Sequence, residues 1–211
     1  IVYDNHTTDD LKFINKIKKL DKRIKVIRNK SNIGAGLSRN VGIDCSRGTY
    51  LAFLDADDLW HKNKLLKQIK FMHKRNIEIC HTSYEIINDH SKKEEVRKAK
   101  LMNYKKLIKS CDIGLSTVMI KKSLIKNLRF SNLKTKEDFA LWLKITKNGK
   151  IIYALNKNLT QWRKSDNSLS SSLIRKLIDG YYVYRYHLKF NVIKSLYSLL
   201  ILSINFLNKA K

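Results

Sequence analysis

The sequence predicts an α/β fold: a mixed, mostly parallel sheet flanked by helices, followed by a helical tail. Apolar runs of strand length alternate with amphipathic segments as far as residue 155, which is typical of parallel strands joined by crossover helices. Residues 50–54 are nearly all apolar, as expected of a strand buried on both faces. The chain has 211 residues, 43% of them hydrophobic, which is enough for one domain with a full core.

Strands and helices alternate regularly in the first half of the chain. Strands are predicted at residues 1–3, 24–27, 50–54 and 77–82. The first helix between them has a capping threonine at position 7 or 8. The second opens at residues 32–36 and ends at Gly48, and the third carries Leu65, Ile69 and Met72 on its inner face.

The second half is less regular. Residues 83–109 are rich in charge and weakly patterned, which predicts a loop or an insertion. Regular signals return with a strand at residues 116–120, a helix from Glu137 to Gly149 and a strand at residues 151–155.

The composition points to a polyanionic partner in a reducing compartment. Lysine and arginine number 44 against 18 acids, for a formal net charge of +26, and such an excess favours binding to phosphate groups, anionic lipid or nucleic acid. The alternative is that lysine is simply a common surface residue in this chain. The three cysteines lie far apart, which argues against a disulfide scaffold or a zinc site.

The tail after residue 170 differs from the rest. Tyrosines at positions 181, 182, 184 and 186 are interleaved with Arg185 and Lys189, and Val192–Leu207 is largely apolar. A spanning helix needs about twenty apolar residues, and this run is shorter and contains Lys194 and Asn205. It predicts a helix that lies on a membrane surface, with basic residues facing anionic lipid. The alternative is an ordinary helical hairpin packed on the domain.

Three aspartates follow the predicted buried strand directly. Asp55, Asp57 and Asp58 stand where ligands bind in open α/β sheets, outside the carboxyl end of a strand. Clustered carboxylates repel one another unless a cation or a basic group is near, and they form a hard oxygen site suited to Mg²⁺ or Mn²⁺. The alternative for an isolated Asp-x-Asp is a solvated turn with caps for the next helix.

The setting of these aspartates closely resembles the family 2 glycosyltransferases. Three motifs carry the resemblance in the family's order: residues 3–9 (Tyr-Asp-Asn-His-Thr-Thr-Asp), residues 32–60 (from Asn-Ile-Gly-Ala-Gly to Leu-Asp-Ala-Asp-Asp-Leu-Trp) and residues 136–143 (Lys-Glu-Asp-Phe-Ala-Leu-Trp-Leu). The resemblance covers residues 1–170 and implies a catalytic domain with the Rossmann-like GT-A fold. Residues 171–211 would then form a separate, basic and apolar helical tail.

The resemblance also implies roles by position. Asp4, Arg39 and Asp55 would bind the nucleotide sugar, and Asp57 would ligate Mn²⁺ or Mg²⁺. Asp138 would be the general base that deprotonates the acceptor hydroxyl, with Glu137 shaping its surroundings. By themselves, the two acids at positions 137 and 138 favour the alternative of ordinary negative charge at a helix N-terminus. Their place in the chain after Asp55–Asp58 reverses that preference.

The implied enzyme is an inverting sugar-nucleotide glycosyltransferase of bacterial surface-glycan synthesis, such as that of capsule or lipopolysaccharide. It would use a nucleoside-diphosphate sugar, most simply UDP-linked, and a glycan or lipid-linked acceptor. Its expected location is the cytoplasm, at the inner face of the cell membrane.

Trp60 and Trp142 are each expected to stack on a sugar or to pack in the core. The run Gly-Leu-Ser-Thr at residues 114–117 is expected to line the acceptor side.

Two departures from the family leave other functions open. Asn5 and His6 stand where the family has Asp and Gly, and the family's first strand and helix, which precede the equivalent of Ile1, are absent. One alternative is an inactive remnant of such an enzyme. The other is a basic nucleic-acid-binding protein, which we do not expect because the basic residues are spread along the chain without a recognition motif.

Overall fold

The computed structural model describes residues 1–3, 11–164 and 172–208. The helices are α1 Leu11–Lys18, α2 Ala35–Cys45, α3 Lys64–Arg75, α4 Tyr104–Leu107, α5 Glu137–Lys147, α6 Leu173–Tyr182 and α7 Val192–Leu207. The strands are β1 Val2–Tyr3, β2 Ile27–Arg28, β3 Tyr50–Ala52, β4 Leu59–Trp60, β5 Ile79–Ile87, β6 Lys93–Arg97, β7 Met119–Lys121 and β8 Tyr153–Arg163. The predicted capping threonines lie outside the described residues.

The strands form two sheets. β1 and β2 pair in parallel as a two-stranded sheet. The larger sheet has the order β3-β7-β5-β8-β4, with β6 paired to β5. β5 and β8 are parallel neighbours, and the remaining pairs in this sheet are antiparallel. The predicted α/β class with a mixed sheet and flanking helices is confirmed. The larger sheet is not mostly parallel as predicted. β7 inserts antiparallel between β3 and β5, and β6 and β4 pair antiparallel with β5 and β8.

The prediction of a loop over residues 83–109 was wrong. β5 continues to Ile87, and β6 returns beside it as a hairpin before the short helix α4. The charges that suggested a loop lie largely on β6, where Lys93 bridges to Glu85 across the pair at 3.0 Å. Charged side chains are characteristic of edge strands because they discourage pairing with other chains.

Other predicted boundaries and faces shift by a few residues. β2 begins at Ile27, α2 ends at Cys45 rather than Gly48, and a 3₁₀ turn at Leu115–Thr117 replaces the start of the strand predicted at residue 116. β3 ends at Ala52, and Leu54 is exposed.

The inner face of α3 was predicted only in part. Met72 is buried and Ile69 packs beside it, but Leu65 is exposed. The fully buried residues of the helix are Lys64, Gln68 and Met72. These three residues have the i, i+4, i+8 spacing of one helix face. The apolar stem of Lys64 and the amide of Gln68 occupy positions that an apolar pattern alone would not select.

The main core forms around α5. Phe139, Leu141 and Trp142 are fully buried there, as is Tyr184 from the tail, and Leu202 of α7 belongs to the same cluster. Trp142 therefore packs in the core, and its alternative role in sugar stacking is not supported. The tail contributes to the same hydrophobic cluster as α5, so its helices stabilise the element that carries Glu137 and Asp138.

Candidate functional site

The first turn of α2 packs tightly against the start of α5. Gly34 precedes the helix with a φ of +85°, a conformation that glycine adopts without strain. A Cβ added at Gly36 would lie 2.3 Å from the Ser131 carbonyl oxygen and 3.0 Å from Glu137 Cγ. Only a residue without a side chain allows this approach, and the approach brings Arg39 within reach of Glu137.

Arg39 joins two of the predicted site regions. Its Nη2 donates to Asp55 Oδ1 at 2.7 Å, and its Nη1 donates to Glu137 Oε1. The guanidinium lies 5.6 Å from the centroid of the Phe130 ring. Asn40 holds the backbone of Phe130 with two hydrogen bonds, both of 3.0 Å. One basic side chain, 16% exposed, thus connects the acidic loop to the helix that carries the other two acids.

The three aspartates of the acidic loop (residues 55–58) have different environments. The Asp58 amide donates to the Asp55 carbonyl at 3.1 Å, which closes the turn. Asp58 is buried and accepts a hydrogen bond from the backbone of Arg163 at 3.0 Å. Burial raises the pKa of Asp58 to about 6, with a smaller contribution from the charges of Asp55 and Asp57. Asp57 is exposed, and within the described residues its carboxylate makes no hydrogen bond or ion pair.

Ser116 fixes the position of the acidic loop through hydrogen bonds. Its hydroxyl accepts from the Asp55 amide at 3.1 Å, while its carbonyl accepts from Trp60 Nε1 at 2.7 Å. The Nζ of Lys64 lies 4.2 Å from the centroid of the Trp60 ring. Ser116 was predicted only as part of a run lining the acceptor side, and its role in organising this loop was missed. No local pattern distinguishes it from any other serine before a strand.

Arg163 connects the loop to the β5–β6 hairpin. Its Nε donates to the Asp57 carbonyl at 3.2 Å, and its Nη1 donates to the Asn88 carbonyl at 3.0 Å and to Ser91 Oγ at 3.3 Å. These contacts of Arg163 were not predicted, because its partners lie more than 70 positions away along the chain.

Asp138 stands in the first turn of α5 beside Glu137. It is partly exposed, and its Oδ1 accepts from the Phe139 amide at 2.6 Å. Burial raises the pKa of Asp138 to about 7, and the charge of Glu137 adds to this effect. Arg39 and Lys136 act in the opposite direction. A carboxyl group with a pKa near neutrality is suited to accept a proton during catalysis.

The structure thus brings Arg39, Asp55 and Glu137 into direct contact, with Asp138 next to them on α5. Asp57 faces outward from the same loop as Asp55. Asp4, the remaining predicted site residue, lies outside the described residues.

The donor groups at the acidic loop fit a divalent cation that is shared with a diphosphate. The described residues contain no group of three His, Cys, Asp or Glu side chains able to hold a metal ion without other ligands. Mg²⁺ is commonly held by only one or two protein carboxylates, with phosphate oxygens and water as its other ligands. The exposed, unengaged carboxylate of Asp57 meets that requirement, whereas Asp55 is already paired with Arg39.

Comparison with known proteins identifies the family and the fold. The family model Glycosyl transferase family 2 matches residues 1–129. The chain is 32% identical over 188 residues to TuaG of Bacillus subtilis (strain 168), a glycosyltransferase named for teichuronic acid biosynthesis, covering 88% of this chain and 75% of the relative. It is 36% identical over 179 residues to the Escherichia coli UDP-Glc:alpha-D-GlcNAc-diphosphoundecaprenol beta-1,3-glucosyltransferase WfgD, covering 84% of this chain and 70% of the relative.

Two solved structures share the fold. One is S. aureus TarS 1–349 in complex with UDP-GlcNAc, with a TM-score of 0.70 and 19% identity, over 94% of this chain and 60% of that chain. The other is the mannosyltransferase PcManGT from Pyrobaculum calidifontis in complex with GDP-Man and Mn²⁺, with a TM-score of 0.66 and 11% identity, over 94% of this chain and 59% of that chain. The chain therefore spans about three fifths of the solved proteins whose fold it shares.

Proposed function

We propose that this chain, which belongs to the glycosyl transferase family 2, transfers a sugar from a UDP-sugar to a hydroxyl of a lipid-linked surface glycan. The transfer inverts the configuration at the anomeric carbon. The observation that carries the proposal is the Arg39 bridge, which joins Asp55 of the acidic loop to Glu137 beside Asp138. Donor-binding and proton-accepting groups then belong to one connected site.

In our proposal the donor is bound by Arg39 and Asp55, together with Asp4, whose role rests on the resemblance of residues 3–9 to the family. In our proposal, Asp4 and Asp55 accept hydrogen bonds from the base and the ribose, and Arg39 lies beside the diphosphate. The pairing of Arg39 with two carboxylates fixes the direction of its guanidinium before the donor arrives, and such preorganisation reduces the cost of binding. The UDP-Glc in the name of WfgD and the UDP-GlcNAc bound to TarS support a uridine donor.

On the donor side, Asp57 would hold a divalent cation. Mn²⁺ or Mg²⁺, when bound there, supplies Lewis-acid stabilisation of the charge on the departing diphosphate. The chain itself orients Asp57. The hydrogen bond from the Asp58 amide to the Asp55 carbonyl closes the turn that carries Asp57, and the hydrogen bond from the Asp55 amide to Ser116 fixes that turn in place. Because the side chain of Asp58 is buried, the side chain of the adjacent Asp57 points toward solvent.

The acceptor side is formed by Asp138. Its carboxylate takes the proton of the acceptor hydroxyl while the hydroxyl oxygen forms a bond to the anomeric carbon. The bond from that carbon to the diphosphate breaks in the same step, and UDP leaves with the bonding electrons. One base and one displacement give inversion. Glu137, held by Arg39, keeps a negative charge beside Asp138 and so keeps its proton affinity high.

The acceptor class is supported by the relatives. The names of WfgD and of WfaP, also from Escherichia coli, both specify a diphosphoundecaprenol-linked acceptor. We propose an acceptor of the same kind, a sugar on a lipid diphosphate, because the strong net positive charge of this chain suits a phosphate-bearing substrate.

The proposed activity is tested by a scan of nucleotide sugars with Mn²⁺ and a GlcNAc-diphospho-lipid acceptor. We expect UDP release that depends on both metal and acceptor, from UDP-sugars and not from GDP- or CMP-sugars. If the folded chain binds no nucleotide sugar in the presence of Mn²⁺, the donor proposal is wrong. If it binds UDP-sugars without turnover, the chain is an inactive member of the family.

We also propose that the tail places the enzyme at the cytoplasmic face of an anionic membrane. The tail exposes large apolar side chains on α6 and α7, with Ile174 73% and Ile193 80% exposed. Between residues 172 and 208 the sequence has five lysine and arginine residues and a single acid, Asp179, which is buried. Exposed apolar residues beside basic charge favour the interface of a bilayer with anionic headgroups. Within the described residues, no helix is long and apolar enough to cross a bilayer.

Vesicle binding tests the membrane proposal. We expect the chain to sediment with phosphatidylglycerol vesicles, to bind phosphatidylcholine vesicles at least about tenfold more weakly, and to be released by high salt. The double variant I174E/I193E is expected to lose this binding. The control is Leu20→Glu, which adds charge at an apolar residue that is 73% exposed outside the tail. The membrane proposal is contradicted if the wild-type chain does not bind anionic vesicles. It is also contradicted if Leu20→Glu loses as much binding as I174E/I193E.

A further inference from the structure

A buried carboxylate in the tail, that of Asp179, accepts hydrogen bonds from the segment that immediately precedes Glu137 and Asp138 of α5. Asp179 of α6 is 1% exposed. Its Oδ2 accepts from the Thr135 amide at 2.8 Å and from the Thr135 hydroxyl at 2.9 Å. Arg175 Nε lies 3.5 Å from the same oxygen. Both donors of one threonine are therefore bound by a residue 44 positions later in the chain.

The held segment is a turn with an unusual backbone. Lys136, between Thr135 and Glu137, has a φ of +61°, a left-handed conformation that few residues other than glycine adopt. Such a conformation persists where the surrounding contacts impose it. The turn directs the chain into α5, so its geometry sets where the side chains of Glu137 and Asp138 emerge.

The same tail helix also supports the other side of the turn. A Cβ added at Gly180 would lie 3.5 Å from Lys136 Cε and 2.8 Å from Leu199 Cδ1. The stem of Lys136 therefore lies beside α6 at Gly180, where an added Cβ would make only ordinary contact with it; the close approach at this glycine is that of Leu199 on α7. Asp179 and Gly180 are consecutive residues, and they lie against Thr135 and Lys136 respectively.

We propose that Asp179 is a positioning residue for the transfer reaction: through Thr135 it fixes the turn that orients Asp138 toward the acceptor. The inference rests on the proposed role of Asp138 as base. It makes α6 part of the catalytic apparatus, whereas the sequence suggested a separate tail. Because Asp179 acts through Thr135 and contacts neither substrate nor metal, its removal affects the catalytic step more than donor binding.

Kinetics of three tail variants test the proposal. Asp179→Ala is expected to lower kcat about 10- to 100-fold, the loss that follows when a catalytic group is slightly misplaced. The KM for the UDP-sugar is expected to change less than about threefold, since Arg39 and Asp57 are untouched. Asp179→Asn, whose amide oxygen still accepts from Thr135, should restore kcat to within about threefold of wild type. Leu202→Ala is the control, because it removes a buried tail side chain that makes no hydrogen bond to Thr135.

Two outcomes of these kinetics would overturn the proposal. One is a loss of kcat in Asp179→Ala no larger than in Leu202→Ala, which would mean that Asp179 only stabilises the tail. The other is an increase in donor KM with unchanged kcat. If Asp179→Ala does not fold, Thr135→Val is the substitute, because it removes one of the two hydrogen bonds and keeps the volume. It should lower kcat about three- to tenfold without changing donor KM, and an unchanged kcat would overturn the proposal.

Hydrogen exchange separates this proposal from the proposed function. The amides of residues 135–140 should exchange at least about tenfold faster in Asp179→Ala than in wild type, and at the wild-type rate in Leu202→Ala. Unchanged exchange in Asp179→Ala would overturn the positioning role whatever the turnover. If exchange is faster in Asp179→Ala but the wild-type chain shows no turnover with any donor, the role of Asp179 in fixing the turn is supported and only the proposed function is contradicted.

Discussion

Replacing Asp138 by asparagine is expected to reduce sugar transfer by about 10²- to 10⁴-fold, the usual contribution of a general base. Asparagine has nearly the same shape and can still accept the hydrogen bond from the Phe139 amide, but it cannot take a proton from the acceptor hydroxyl. Binding of the UDP-sugar is expected to remain within about threefold of wild type. Turnover and UDP binding measured on the same preparation check both statements, and normal turnover of the variant would show that the base is another group.

The pH dependence of the wild-type enzyme provides an independent check on the same residue. Because burial raises the pKa of Asp138 to about 7, its carboxylate form increases as the pH rises through that value. We expect kcat/KM to rise with pH between about 6 and 8. The negative charge of Glu137 contributes to the raised pKa, so Glu137→Gln should move the rise to lower pH. A profile that is flat from about pH 5 to 8 would contradict the assignment.

Replacing Asp57 by alanine is expected to remove the metal-dependent part of donor binding. Its carboxylate is exposed and, within the described residues, unengaged, so we do not expect its loss to disturb the fold. The dissociation constant for UDP with Mn²⁺ should rise at least about tenfold, to the value that wild type shows with EDTA, because the charge of the diphosphate is no longer neutralised by the cation. Calorimetric titration with UDP, with and without Mn²⁺, measures this difference.

Asp58→Asn is the matched control for that experiment. Asp58 is buried in the same loop and accepts a hydrogen bond from the Arg163 amide, which the amide oxygen of asparagine can also accept. This variant is expected to retain the Mn²⁺ dependence of UDP binding. If both variants lose it equally, the effect comes from the shape of the loop and not from a ligand at Asp57.

The sequence predicts best those features that a short segment determines by itself. The bounds of α7 agree with the prediction at both ends, and α5 begins at the predicted Glu137, because an apolar pattern or an acidic first turn marks each element locally. The motif at residues 54–58 likewise identifies the acidic loop, and its strand ends only two residues earlier than predicted. Resemblance to a family then supplied roles that the spacing of the acids alone left open.

Features that depend on distant contacts were not predicted. The pairing of Arg39 with Asp55 and Glu137 joins three segments that only the folded chain brings together. The hydrogen bond between Ser116 and the acidic loop and the hydrogen bond between Asp179 and Thr135 also join segments that are distant in the sequence. The long strand β5 was cut short in the prediction because its second half pairs with a charged edge strand, whose composition resembles that of a loop.

The electrostatics of the site explain why acids cluster in so basic a chain. Asp55, Asp57 and Asp58 lie within one turn, and their mutual repulsion is relieved in three ways. Arg39 neutralises Asp55, burial favours protonation of Asp58, and solvent or a cation screens Asp57. Each aspartate therefore has its own charge environment, which is what allows neighbouring residues of one type to perform different tasks.

The anomeric configuration of the product shows whether Asp138 acts as the base of a single inverting displacement. If Asp138 is the single base of a single displacement, an α-linked UDP-sugar becomes a β-linked product. Proton NMR of the product formed from a UDP-sugar and a GlcNAc-diphospho-lipid should therefore show the large anomeric coupling of a β-glucoside when UDP-glucose is the donor. An α-linked product would require two displacements or a different mechanism, and it would contradict the assignment of Asp138 as the base of a single inverting step.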